Sequence, residues 1–368
     1  MICKRLTVGN FRNISSADVE FSEGVNLLSG DNAQGKTNLL EALYYISLGK
    51  SFRGATESEM IKFDSDFASV SLDFEDSVRL QNVSVHIFRD KRRKFEQNGV
   101  KITKMSEIVG ALRAVLFSPD NLSLIKNGPS ERRSWLDVAL CQSRPLYMQS
   151  LSRFNKILKQ RNKLLKDAED DPKTFDSTIG FWSEQLARES AILAKFRYEY
   201  TLKAAADVER FFFEMTADRE KPEFLFKCAS KLEREACLDV EATYEAYLKL
   251  LTSNLARETA VGSTLWGAHK DDIEINLNGK AARDFASQGQ QRSLALSMKL
   301  AEGEICRADR GEYPVFLLDD VLSELDPKRR AYLLGEIHGK QVIMTGCDDS
   351  STGDANVIYV KNGTYTKR

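Results

Sequence analysis

The stretch GDNAQGKTNLLEAL, residues 30–43, fits the spacing GxxxxGK[ST], with Gly30, Gly35, Lys36 and Thr37 in its fixed places. Glycines at those points let successive backbone N–H groups converge on phosphate oxygens, and a following helix turns its positive N-terminal end toward them. Lys36 adds a mobile cation, and Asp31, Asn32, Ala33 and Gln34 complete the loop. Just before it, VNLLSG reads as a short buried strand; just after it, TNLLEALYYISL reads as a helix with apolar Leu39, Leu40, Leu43 and Ile46. Strand, glycine loop, helix is the order a phosphate cradle requires. A plain strand-to-helix turn explains one glycine, but not the lysine and the hydroxyl together. The expected fold class is therefore α/β with a nucleotide loop, although a loop alone names no enzyme.

A chain of 368 residues, 42% apolar and 29% charged, has the composition of a soluble globular protein, and its length suggests about two domains. No uninterrupted apolar run nears the roughly 18 residues a spanning helix needs. MICKRLTVGNFRN lacks the apolar block of a secretory signal, so a cytoplasmic location is expected. Cys3, Cys141, Cys228, Cys237, Cys306 and Cys347 are scattered, with no CxxC pair and no His/Cys cluster at zinc spacing. Reduced structural thiols are expected, and no metal beyond one that a nucleotide brings. The net charge of -1 does not announce a nucleic-acid binder, so any DNA contact must use a local basic patch.

Along the chain, KRLTVGNF, ADVEF, VNLLS, SVSLDF and VSVHIF read as strands, and Asn98-Gly99 as a hairpin turn. From about Ser130 the character changes to long helices, and strands return in EFLFKC, DIEINL and PVFLLDD. The outline is a sheet-based head in two parts, 1–120 and 218–368, interrupted by a helical lobe over 121–217. In that lobe Lys156, Lys159, Lys163 and Lys166 fall on one helix face at about 100° per residue, with Phe154, Ile157, Leu158, Leu164 and Leu165 opposite. Such a ridge could track DNA phosphates. A solvated lysine face is the commoner origin of the pattern and carries slightly more weight. Arg161 projects toward the apolar side, where an unpaired guanidinium is costly, so a dedicated partner is expected. The basic run Arg89 to Lys94 is either a DNA-facing tip or, with more weight, a soluble edge.

A phosphate cradle needs a metal partner, and PVFLLDDVLSELD supplies one: an apolar strand Val315 to Leu318 that ends in Asp319 and Asp320. Carboxylates at a strand's C-terminal edge stand where α/β folds collect ligands. Asp319 is expected to hold Mg²⁺ together with the Thr37 hydroxyl, and Asp320 to orient or deprotonate the attacking water, with Lys36 gripping the phosphates. In FASQGQQRSLALSMKLAE, Ser287 leads a helix whose Leu294, Leu296 and Leu300 pack inward, which makes a second potential phosphate acceptor. One nucleotide has a single γ-phosphate. The economical arrangement is a two-fold dimer in which each chain's Ser287, Gly289 and Gln290 complete the partner's ATP site, with Ser323 to Asp326 along the seam.

This order of motifs resembles the ABC-type ATPase heads of the SMC and RecF group. GDNAQGKTNLLEAL, FSPDNLSLIKNGPSERRSWLD, FNKILKQRNKLL, SQGQQRSLALSMKLAE and LLDDVLSELD carry the likeness through almost the whole chain. The resemblance implies an ABC-type head, a mixed sheet with a P-loop plus an inserted helical lobe. It also implies a DNA replication and repair protein that binds double-stranded DNA with ATP, dimerises on ATP, hydrolyses it slowly, and works with RecR and RecO at gapped DNA to help load the recombinase. Arg12 is implied to reach the phosphates from the same subunit. The short lobe lacks extended heptads or a hook, which disfavours a long-armed member.

Some segments depart from the group's pattern. GAHKDD, residues 267–272, carries Ala268 and Lys270 in place of a proline and an arginine, which would weaken a bidentate contact. QVIMTGCD, residues 341–348, occupies the switch-loop position without a histidine, leaving Thr345 as its substitute. FSPD, near Ser118 to Asp120, stands where a metal-linked glutamine is usual, and His269 alone among the histidines invites a functional reading. Two other classes stay open: an ABC-type ATPase that organises protein partners without touching duplex DNA, and, less favoured, a transporter subunit.

Overall fold

A computed structural model of the chain describes residues 1–216, 220–346 and 355–367. In chain order the strands are β1 (Ile2–Phe11), β2 (Ile14–Glu20), β3 (Val25–Ser29), β4 (Phe67–Glu75), β5 (Leu80–Phe88), β6 (Lys94–Gln97), β7 (Val100–Ile102), β8 (Ala114–Phe117), β9 (Pro222–Lys227), β10 (Asp272–Leu277), β11 (Lys280–Ala281), β12 (Val315–Leu318), β13 (Val342–Gly346), β14 (Asn356–Lys361) and β15 (Thr364–Lys367). They divide between two compact units, one formed by 1–121 with 296–368 and the other by 122–295. Residues 220–295, which the sequence alone groups with the C-terminal head segment, cluster with the helices instead. The reason is local: β9 and β10 pair with each other, and β9 packs on the long helix Pro172–Thr216.

The first unit holds two sheets. One is antiparallel throughout, in the order β2-β1-β4-β5-β6-β7. Its alternation is that of a half-buried sheet: Val70, Leu72, Val83, Val85 and Ile87 face the core, while Ser69, Ser71, Ser84 and His86 between them are only partly covered. The expected turn at Asn98-Gly99 joins β6 to β7, both residues having positive φ, 51° and 75°, as a type I′ turn demands. The second sheet runs β15-β14-β3-β13-β12-β8 and is parallel except for β15. Its central strands β3, β12 and β13 are buried almost without a break, as strands covered on both faces must be. The helix α1 (Lys36–Leu48) follows β3 directly and is buried nearly all round, including Leu39, Leu40, Leu43 and Ile46.

The second unit is built on helices Pro129–Ser143, Pro145–Lys166, Pro172–Thr216 and Val240–Ser253, with the antiparallel sheet β11-β10-β9. Proline at the first turn of the first two costs no hydrogen bond, because the N–H it lacks would have no helical partner. Arg161 is fully buried and has the partner its position requires: Nη2 donates to Glu258 Oε2 at 2.6 Å, Nη1 to Thr264 Oγ1 at 2.9 Å and Nε to Ser183 Oγ at 3.1 Å. On the same helix Lys156, Lys159, Lys163 and Lys166 are exposed, while Phe154 and Leu165 are buried.

The acids of GAHKDD tie this unit together. Asp271, buried, accepts from Arg197 Nη1 at 2.9 Å, Tyr247 OH at 2.7 Å and the Ala229 N–H at 3.0 Å. Asp272 takes two bonds from Arg132, at 2.8 and 3.0 Å. Three helices and the turn after β9 thus converge on two consecutive carboxylates. Burial pushes the Asp271 carboxyl up, against the lowering effect of Arg197. His269 lies against Phe154 with Nε2 3.1 Å from the Thr264 carbonyl oxygen, and burial drives its pKa down to about 4. None of the five described cysteines is in a disulfide, and Cys347 lies outside the described residues. Among the described residues no helix is long and apolar enough to cross a membrane.

Candidate functional site

The loop between β3 and α1 opens a cavity of about 590 Å³. It is lined by Asn32, Ala33, Gly35, Lys36, Thr37, Asp319, Asp320, Thr345 and the Ser118 to Asp120 segment, together with Asn13, Asn38, Phe52 and Arg53. Every one of these belongs to the first unit. Parallel pairing explains the gathering. β3, β13, β12 and β8 lie side by side and point the same way, so the ends that carry Gly30, Thr345, Asp319 and Ser118 share one edge.

Gly35 stands at the helix entry with φ 114°, a conformation that an L side chain would strain. Lys36 Nζ bonds the Gly30 carbonyl, so the ammonium is held over the mouth of the loop. Thr37 Oγ1 donates to Asp319 Oδ1 at 2.8 Å, and Thr345 Oγ1 donates to the same oxygen at 3.1 Å. Asp319 is 8% exposed, and its desolvation pushes the carboxyl up; the Thr37 and Thr345 hydroxyls pull it back. A buried carboxylate held by two neutral hydroxyls is chemically suited to a hard divalent ion, with Thr37 as its neighbouring oxygen ligand. No group of three His, Cys, Asp or Glu side chains among the described residues could cage a metal by itself. The remaining ligands would have to be phosphate oxygens and water.

Asp320 differs from its neighbour. It is exposed, adopts φ 52°, receives the Ser323 hydroxyl on its carbonyl at 2.8 Å and on Oδ1 at 3.0 Å, and donates its N–H to Thr345 Oγ1 at 2.8 Å. Positive φ in a residue other than glycine is strain that the surroundings must hold, and here Ser323 and Thr345 hold it. Thr345 therefore touches both acids. Its strand ends at Gly346, and the rest of the switch segment, Cys347 and Asp348, lies outside the described residues.

Arg12 is elsewhere. Its guanidinium makes a bidentate pair with buried Glu41 at 2.7 and 2.9 Å and donates to the Glu59 carbonyl at 2.9 Å. The arginine that lines the cavity is Arg53, whose Nη1 donates to Asn38 Oδ1 at 3.2 Å. Sequence reasoning missed Arg53, Phe52 and Asn13, because no fixed spacing from the loop marks them, and passed over Asn38, which directly follows Thr37. In the basic run, Arg93 is anchored inward on Tyr45, Gly49 and Glu57, and Arg89 bonds the Ser65 and Lys62 carbonyls.

Ser287 and Gln290 belong to the second unit and close on each other: the Ser287 N–H donates to Gln290 Oε1 at 2.6 Å and the Gln290 N–H to Ser287 Oγ at 3.3 Å. That reciprocal cap satisfies two helix-start amides and leaves Ser287 exposed, with Gly289 partly covered. Leu294, Leu296 and Leu300 are buried. Asp326 caps the helix Pro327–Ile337, accepting from the Arg329 N–H at 3.1 Å.

Comparison with known proteins covers almost the full length of the chain. Residues 2–362 match the family described as the RecF/RecN/SMC N terminal domain. The chain is 37% identical over 346 residues to the DNA replication and repair protein RecF of Ruminiclostridium cellulolyticum, covering 94% of this chain and 92% of that one. It is 36% identical over 373 residues to the protein of the same name from Clostridium kluyveri, covering 100% of each. Among solved structures, the recombination mediator protein RecF in complex with ATPrS superposes with a TM-score of 0.93 at 35% identity, covering 99% of this chain and 97% of that one. An SmcHead bound to the C-winged helix domain of ScpA superposes with a TM-score of 0.59 at 16% identity, covering 100% and 96%, which shows a shared fold alone.

Proposed function

The chain belongs to the RecF/RecN/SMC N-terminal domain family, and from that membership we propose that it is an ATP-binding DNA replication and repair protein, an ATP-gated clamp on double-stranded DNA. The observation that carries the reading is the 2.8 Å bond between Thr37 and Asp319, which joins the glycine loop to the acidic strand end inside one cavity. Gly30 to Thr37 and Lys36 take the β and γ phosphates, and Arg53 adds a cation at the rim. Thr37 and Asp319 would hold Mg²⁺, which when bound neutralises phosphate charge. Asp320, free of the buried pair and oriented by Ser323, positions the attacking water. The family's solved members include one described as RecF with ATP, 34% identical with a TM-score of 0.91, which supports the choice of nucleotide.

The second half of the site comes from a second copy. Ser287, Gly289 and Gln290 form a pre-capped helix start on which Ser287 is exposed, and Ser323 and Asp326 border the acidic strand end. In the proposed dimer these surfaces meet around the γ-phosphate, slow hydrolysis releases them, and duplex DNA bound across both copies favours ATP in return. RecR and RecO are its proposed partners at gapped DNA, and the cytoplasm is its proposed location. Light scattering of purified Asp320→Asn with and without ATP and Mg²⁺ tests the scheme. A dimer that forms only with nucleotide is expected; a monomer at saturating ATP removes the cross-subunit site. Anisotropy of a short duplex over a salt series, with and without ATP, separates this reading from an ATPase that only organises proteins.

A further inference from the structure

The outer side of the phosphate loop is gripped by the last hairpin of the chain. β14 and β15 are joined by Asn362-Gly363, with φ 49° and 73°. The Gly363 N–H donates to the Gln34 carbonyl at 2.9 Å, and the Asn362 N–H donates to Gln34 Oε1 at 2.7 Å. Tyr365 OH donates to the Gly35 carbonyl at 2.9 Å, an oxygen that also accepts the helical bond from Leu39 N–H at 3.2 Å. Burial raises the Tyr365 pKa, which keeps the phenol protonated as the donor. The approach is close enough to dictate sequence. β14 runs parallel beside β3 with Tyr359 opposite Ser29, and a side chain at Gly30 would collide with the Val360 carbonyl. The first glycine of the motif thus makes room for the hairpin.

In a trans peptide the carbonyl and the following N–H point in opposite directions. Pinning the Gln34 and Gly35 carbonyls on the hairpin side therefore turns the N–H groups of Gly35 and Lys36 the other way, into the loop's concave side. Those are the amides a phosphate cradle uses. We propose that the C-terminal hairpin is a positioning element for the phosphate loop: Tyr365 and the Asn362-Gly363 turn fix two consecutive peptide planes and preorganise the loop for a triphosphate. The proposal rests on the reading of this loop as the phosphate site. Loop amides that are already aimed need no reorganisation when the anion arrives, so the effect falls on anion affinity.

The test uses the full chain as Tyr365→Phe, with Thr366→Ala in the same strand as the control. Affinities for ATP and for inorganic tripolyphosphate are measured by displacement of a fluorescent ATP analogue, and the ³¹P resonances of bound ATP are recorded. Loss of one hydrogen bond should weaken both ligands about 2- to 10-fold in Tyr365→Phe. It should also move the bound phosphate resonances, while Thr366→Ala matches the parent. Parent-like affinities and unchanged ³¹P shifts in Tyr365→Phe overturn the positioning role, as does an equal loss in Thr366→Ala. A parent protein that binds neither ATP nor tripolyphosphate overturns the underlying reading of the loop as well, so the two failures are told apart by the parent alone.

Discussion

Thr345→Val removes the hydroxyl that touches both acids of the candidate site while keeping a side chain of nearly the same shape. Two bonds disappear: the 3.1 Å donation to Asp319 Oδ1 and the 2.8 Å acceptance from the Asp320 N–H. The second is part-buried and helps hold the positive φ of Asp320, so its loss also loosens that residue. Asp319 is buried, and a hydrogen bond to a charged group is worth about 1.5–3 kcal/mol. Its carboxyl is already pushed up by desolvation, and removing a donor pushes it further in the same direction. Protonation competes with a divalent ion for this oxygen, so Mg²⁺-dependent nucleotide binding should weaken, by up to about 10- to 100-fold at the acid end of the pH range. The loss should shrink as pH rises, because deprotonation restores the ligand. Mg²⁺ titrations of nucleotide binding at several pH values measure this, with Thr345→Ser as the variant that keeps the hydroxyl. Parent-like Mg²⁺ dependence in Thr345→Val would refute the claim that this hydroxyl keeps Asp319 ready for a cation.

Glu258→Ala leaves the fully buried Arg161 guanidinium without its counter-charge and should destabilise the second unit by about 3–5 kcal/mol; urea unfolding reads it, and a near-neutral result contradicts the buried pair. His269 has a folded pKa of about 4, below the ordinary 6.5, so its contribution is present above pH 6.5 and is lost as pH falls from there toward 4. That loss should be on the order of 3 kcal/mol, and a His269→Gln chain whose acid unfolding follows the same curve would reject it. Reversing Lys156, Lys159 and Lys163 to glutamate should weaken duplex binding and lower the salt slope by about 0.9 for each phosphate the ridge no longer neutralises. Unchanged affinity and slope return the ridge to a solvated face.

Local chemistry made much of this protein legible from its sequence. The glycine loop, the apolar strand that ends in two acids, the serine-led helix, the Asn98-Gly99 turn and the burial of Arg161 each depend on neighbours in the chain, on periodicity, or on the cost of an unpaired charge. Tertiary structure alone decided which distant pieces meet. Parallel pairing of β3, β13, β12 and β8 sets Thr345 beside Asp319, brings Ser118 to the same rim and admits Arg53, while Glu41 captures Arg12. The consecutive acids Asp271 and Asp272 tie the start of β10 and the turn after β9 to three helices, and the C-terminal hairpin reaches residues more than three hundred positions away to hold Gln34 and Gly35. Strand order and long-range hydrogen bonds have no fixed spacing in a single sequence, because the closure of a loop costs little more when the loop is long. Chemistry that repeats along the chain can be read there; partners chosen across the fold cannot.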